Sequence, residues 1–152
     1  MKVALDTNIL AYLAGVKRNT ADLEKIDRAR RVVRHLNDGH DLLIATQALG
    51  ELFNVLLKGG FERQDARTIT RRFADRYEIA TADQACFGQA LDLAVDHRLQ
   101  IWDALILAVS ARAGCDLLLS EDMQDGFTVL GVTVVDAVAK RPHPGLAALL
   151  DG

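Results

Sequence analysis

Cysteine is scarce in this chain. Cys86 and Cys115 are too few for a disulfide framework and read as two buried thiols in a reducing compartment. No apolar run approaches the roughly 20 residues that span a bilayer; the stretch from Ala104 to Val109 is far shorter. No secretory leader is expected, because Asp6 interrupts any apolar run that starts at Met1. These absences point to a soluble cytoplasmic protein with no membrane attachment. His35, His40, His97 and His143 lack metal-ligand spacing and read as surface or helix-end residues. Cys86 has no nucleophile signature, Gly59-Gly60 reads as a turn, and there is no glycine-rich phosphate loop. Positive charge is not in excess either: 18 Lys and Arg against 21 Asp and Glu give a net charge of −3. That argues against a protein that coats nucleic acid. It leaves open a site built on divalent cations, which needs local acid.

What is present describes an ordinary globular protein. Half of the 152 residues are hydrophobic and 26% are charged, which favours one folded domain. Residues 1–138 are expected to form it, with residues 139–152 as a C-terminal tail. In that tail, Pro142, Pro144 and Leu146 to Leu150 are compatible with either a docked short helix or a mobile end. Charge is unevenly spread. Lys17 to Arg34 holds seven basic and three acidic residues, whereas Cys115 to Asp136 holds five acids and no Lys or Arg.

The chain opens with an apolar strand, Val3-Ala4-Leu5, followed at once by a helix from Thr7 to Ala14 that Gly15 stops. Leu23, Ile26, Ala29, Val33 and Leu36 recur at helical spacing and predict an amphipathic helix from Ala21 to Asn37. Leu42 to Ala45 reads as a buried strand, and Thr46 as the N-cap of a helix from Gln47 to Lys58. Charged helices are expected over Glu62 to Tyr77 and Asp83 to His97. A mostly buried helix follows over Trp102 to Ala113. Leu117 to Leu119 and Val132 to Val135 complete a set of four strands. Alternating strands and helices imply an α/β fold, a three-layer α/β/α sandwich with a central parallel sheet.

Four acids occupy places suited to chemistry. Asp6 follows the first strand and Asp122 follows the third, at the strand ends where open α/β sheets bind ligands. Glu51 and Asp103 lie in the first turns of helices. Each has a dull explanation: a helix cap for Asp6, an exposed helix position for Glu51, a helix-dipole contact for Asp103 and a turn for Asp122. Their joint order along the chain is harder to explain that way. Four carboxylates in one cleft repel each other unless a cation sits among them. Oxygen-only donors select hard ions such as Mg²⁺ or Mn²⁺.

Taken together, Leu5-Asp6-Thr7-Asn8, Glu51, Trp102-Asp103-Ala104-Leu105-Ile106-Leu107-Ala108 and Leu119-Ser120-Glu121-Asp122-Met123-Gln124-Asp125-Gly126 resemble the PIN-domain ribonucleases. The likeness is greatest to the VapC-type toxins of toxin–antitoxin pairs and runs from about Val3 to Val135. The resemblance implies endonucleolytic cleavage of single-stranded RNA with Mg²⁺ or Mn²⁺ and no covalent enzyme intermediate. It implies that Asp6, Glu51, Asp103 and Asp122 form the metal-holding quartet. Asn8 and Ser120 would orient carboxylates or a water, and Asp125 would share or replace the role of Asp122. It further implies a cognate antitoxin protein, docked near the helices after Gly15, and a homodimer. The chain departs from the common pattern at its end, where Asp136-Ala137-Val138 and a tail replace an Asn-Pro-Phe stop.

The basic helix from Arg28 to Arg34 is either a guide for RNA phosphates or a solvated face. Three other functions compete. A phosphatase with an aspartyl nucleophile at Asp6 would want a second Asp at position 8, where Asn8 stands. A fold of this kind could bind RNA or protein without cutting, or could process RNA rather than act as a toxin.

Overall fold

The computed structural model describes residues 1–152. Six strands form one sheet: β1 (Lys2–Leu5), β2 (Asp41–Ala45), β3 (Glu78–Ala80), β4 (Leu117–Leu119), β5 (Thr128–Val129) and β6 (Val132–Val135). Their order across the sheet is β3-β2-β1-β4-β6-β5. All neighbours run parallel except β5, which pairs antiparallel with β6 as a short hairpin at the edge. The expected parallel sheet is therefore the centre of a mixed one, with two more strands than the sequence predicts.

Seven helices flank it: α1 (Thr7–Leu13), α2 (Asp22–Asn37), α3 (Thr46–Lys58), α4 (Arg63–Arg76), α5 (Gln84–His97), α6 (Ile101–Arg112) and α7 (Pro144–Asp151). Consecutive parallel strands joined by right-handed crossovers place α1 to α4 on one face and α5 with α6 on the other. This is the α/β/α sandwich. The central strands are continuous apolar runs because both faces are covered; Leu117, Leu118 and Leu119 are all buried. α6 is buried at every position from Ala104 to Ser110. The one polar group in that run, the Ser110 hydroxyl, donates to Ile106 O at 2.7 Å, so its burial leaves no unmet donor. No helix is long and apolar enough to cross a membrane.

One local expectation changes, and the tail takes one of its two open forms, the docked helix. Thr46 does not cap α3. Ala45 occupies that position without a side-chain cap, and the Thr46 hydroxyl donates instead to Ala80 O at 3.2 Å, tying α3 to β3. The tail is ordered: α7 packs on α2, Leu146 is fully buried in the core, and the Arg28 guanidinium donates to Val138 O at 3.0 Å.

This strand order positions the site. From β1 the chain moves outward to β2 and β3, then returns to β4 on the other side of β1. The point where the winding reverses is the crevice between the carboxyl ends of β1 and β4. Leu5 is in register with Leu119, and Asp6 N donates to Leu119 O at 3.0 Å. Asp6 and Ser120, the next residues on each strand, therefore emerge side by side.

Candidate active site

Asp6 is the buried anchor of the crevice, 3% exposed. It is also the N-cap of α1: its Oδ1 accepts from Thr7 N at 2.7 Å. Capping and site-building thus coexist in one residue. Its other oxygen, Oδ2, accepts from the Ser120 hydroxyl at 2.6 Å and from Asn8 Nδ2 at 3.4 Å. Asn8 Oδ1 accepts from Glu121 N at 3.1 Å, so Asn8 bridges α1 to the loop after β4. Burial pushes the Asp6 carboxyl up to about 6, against the pull of the Ser120 and Thr7 hydrogen bonds. The carboxylates of Asp103 and Glu51 push it the same way.

Glu51 reaches the crevice from α3 and is held by two neighbours. The Thr7 hydroxyl donates to Oε2 at 2.8 Å, and Gln47 Nε2 donates to Oε1 at 2.9 Å. Asp103, in the first turn of α6, is also raised above the ordinary carboxylate range. Burial is the main cause, and the negative charges of Glu51 and Asp122 add to it. Asp6, Glu51 and Asp103 therefore lie within electrostatic reach of one another, and Asp122 within reach of Asp103.

The acid-rich loop after β4 sorts its three carboxylates among three tasks. Glu121 is engaged: the Tyr12 hydroxyl donates to its carboxylate (2.9 and 3.0 Å to the two oxygens), and Lys25 Nζ lies 3.1 Å from Oε1. The Asp125 Oδ1 accepts from Asp136 N at 2.8 Å, closing the loop against the end of β6. Asp122 is exposed, its charge reaches Asp103, and it has no ion pair.

Thr7, Gln47, Tyr12, Lys25 and Glu121 were not anticipated as parts of the site. Two of them carry a local signal. Gln47 precedes Glu51 by one helical turn, and Tyr12 follows Asn8 by one turn, so each shares a face with a site residue. Thr7 and Glu121 stand inside the quoted motifs beside Asp6 and Asp122, but their side-chain partners and that of Lys25 lie far away in the chain. Arg112 pairs with Asp83 at 3.1 Å, away from the acids.

The donor set suits a hard divalent cation. All four candidates offer oxygen, and none of the four forms an ion pair with Lys, Arg or His. As they stand, the side chains do not converge into a group of three around one point. The Glu51 oxygens are turned to Thr7 and Gln47.

Residues 3–127, from β1 through the loop that carries Asp122 and Asp125, match the PIN domain family. The chain belongs to that family. Solved structures of similar fold include VapBC2 from Rickettsia felis bound to a DNA fragment from their promoter. It is 16% identical with a TM-score of 0.66, over 88% of this chain and 97% of that one. Mycobacterium tuberculosis VapC20, a sarcin–ricin loop cleaving toxin, is 18% identical with a TM-score of 0.64, over 79% of this chain and 89% of that one. A toxin–antitoxin complex from Klebsiella pneumoniae is 20% identical with a TM-score of 0.62, over 86% and 95%. At these identities the likeness is one of fold. A comparison with curated proteins by sequence finds no match.

Proposed function

We propose that this PIN domain is a Mg²⁺- or Mn²⁺-dependent endoribonuclease for single-stranded RNA and the toxin of a toxin–antitoxin pair. The observation that carries the reading is Asp6: a carboxyl 3% exposed, raised to about 6, and facing Asp103 and Glu51 with no cationic side chain to offset them. Burial is the main cause of that shift and the neighbouring carboxylates add to it; a divalent cation held here would offset both and keep Asp6 ionised at neutral pH. Asp6, Glu51, Asp103 and Asp122 would hold the ion. When bound, a divalent cation supplies activation of water and stabilisation of the phosphate oxygens in an in-line displacement.

The chain's own groups set up that chemistry. Ser120 and Asn8 hold Asp6 Oδ2 in place, while Glu51 would exchange its bonds to Thr7 and Gln47 for the ion. Asp122 rather than Asp125 serves as the fourth acid, because Asp125 is tied to Asp136 N. The toxin reading is supported by the toxin–antitoxin origin of the similar structures. The expected partner is an antitoxin protein whose cationic side chain would neutralise the acids. A homodimer and a cytoplasmic location accompany this reading.

The test is incubation with single-stranded RNA in Mn²⁺, with and without EDTA, using wild type and Asp103→Asn. Products that form only with metal and only with wild type support the reading. RNA binding without EDTA-sensitive products would favour a non-catalytic module. Among cutting enzymes, rescue of growth by a small neighbouring gene separates a toxin from an RNA-processing nuclease.

A further inference from the structure

A cleft of about 580 Å³ opens beside Glu51, between the first half of α3, α6 and the turn joining β3 to α5. Its volume is that of a typical small-molecule site. Apart from Glu51 at its edge, it is lined without charge. Gln47, Asn54 and Thr81 bring two amides and a hydroxyl, and Leu105 and Val109 form an apolar wall. Asn54 and Thr81 are exposed and free to turn into the cleft. Gln47 is already oriented: its amide nitrogen donates to Glu51 at 2.9 Å, which leaves the carbonyl oxygen as an acceptor. Gly50 opens the space between them, since a Cβ built there meets no atom within 4 Å.

A phosphate would seek cations, and this lining has none. A nucleobase fits it better: a neutral ring with apolar faces and an edge of donors and acceptors, the features by which unpaired RNA bases are read. The position adds to the argument, because Glu51 is at once a wall of the cleft and a member of the acid group. We infer that this cleft is a nucleobase subsite that selects the nucleotide flanking the scissile phosphate. The inference rests on the ribonuclease reading above.

Two variants test it. Gly50→Leu fills the cleft from a helical position where larger side chains favour the helix. It should raise KM for single-stranded RNA by about tenfold, the equivalent of one lost base contact. kcat should change little, and the melting temperature should hold or rise. Asn54→Ala should flatten the nucleotide preference at one position beside the cut, read by sequencing product ends. Wild-type cleavage with unchanged KM and unchanged product ends in both variants would overturn the subsite and leave the ribonuclease reading standing. If wild type cuts no RNA in Mn²⁺, that reading fails and takes the subsite with it. If Gly50→Leu changes the oligomeric state by light scattering while nucleotide preference persists, the cleft belongs to a second copy of the chain and the subsite is rejected.

Discussion

The Ser120 hydroxyl donates to Asp6 Oδ2 at 2.6 Å, joining residues 114 positions apart in the chain. The bond fastens the carboxyl ends of β1 and β4 at the reversal of the sheet. It also favours the ionised form of Asp6 against burial. Ser120→Ala should therefore raise the Asp6 pKa beyond about 6 and move the acid limb of the pH–activity profile to higher pH. Loss of a charge-assisted bond at a buried site should cost about 1–3 kcal/mol in urea unfolding above that pH. An acid limb that stays in place would show that Ser120 does not tune Asp6.

Asp6→Asn separates function from stability. Cleavage should fall by at least about 100-fold, because the buried metal-holding oxygen is replaced by an uncharged amide. In metal-free buffer near pH 7 the variant should be more stable than wild type, by up to about 3 kcal/mol. The sign follows from the shift. The Asp6 pKa is raised from 3.8 to about 6 in the folded protein, so its ionisation opposes folding. That cost is absent below about pH 4, grows through about pH 6 and is then constant. The stability difference between variant and wild type, measured by thermal melts at several pH values, should follow the same course.

The loop after β4 offers a choice between neighbouring acids. Asp122→Asn should reduce metal-dependent cleavage by about 100-fold. Asp125→Asn should stay within a few-fold of wild type, because Asp125 holds Asp136 N at 2.8 Å rather than the acid group. Steady-state cleavage rates for the pair decide between them; the reverse ranking would exchange their assignments.

Tyr12 acts at one remove. Its hydroxyl and Lys25 together hold Glu121, whose backbone N–H donates to Asn8. Tyr12→Phe should cost about 1 kcal/mol in urea unfolding, as the partly buried Glu121 carboxylate loses a donor. Cleavage should fall only several-fold, since none of the four candidate ligands is touched.

Much of the fold is legible in the sequence, for physical reasons. β4 is apolar throughout, β1 and β2 are apolar after one charged residue, and α2 repeats its apolar residues at helical spacing, so period and burial speak directly. β3 is three residues, begins with Glu78 and sits at the sheet edge, so neither length nor pattern marks it. β5 is two residues whose strand character comes from pairing with β6. The places of Asp6 and Asp122 after strands and of Asp103 in the first turn of α6 are readable in advance, whereas Glu51 lies one turn inside α3 rather than at its start. The supports of the four acids are not readable in this way. The Thr7 bond to Glu51 and the Tyr12 bond to Glu121 span 44 and 109 positions and exist only once the sheet order is known. The reassignment of Thr46 from cap to strand tie has the same cause: β3, which supplies Ala80 O, was itself invisible.

The central claim is that Asp6, Glu51, Asp103 and Asp122 together hold a divalent cation. Calorimetric titration of Mn²⁺ into wild type, Asp6→Asn and Asp103→Asn tests it without RNA. Wild type should show saturable binding with Kd on the order of 1 mM or tighter, and each variant should lose most of that heat. Equal binding by all three proteins, or none by wild type across that range, would contradict it.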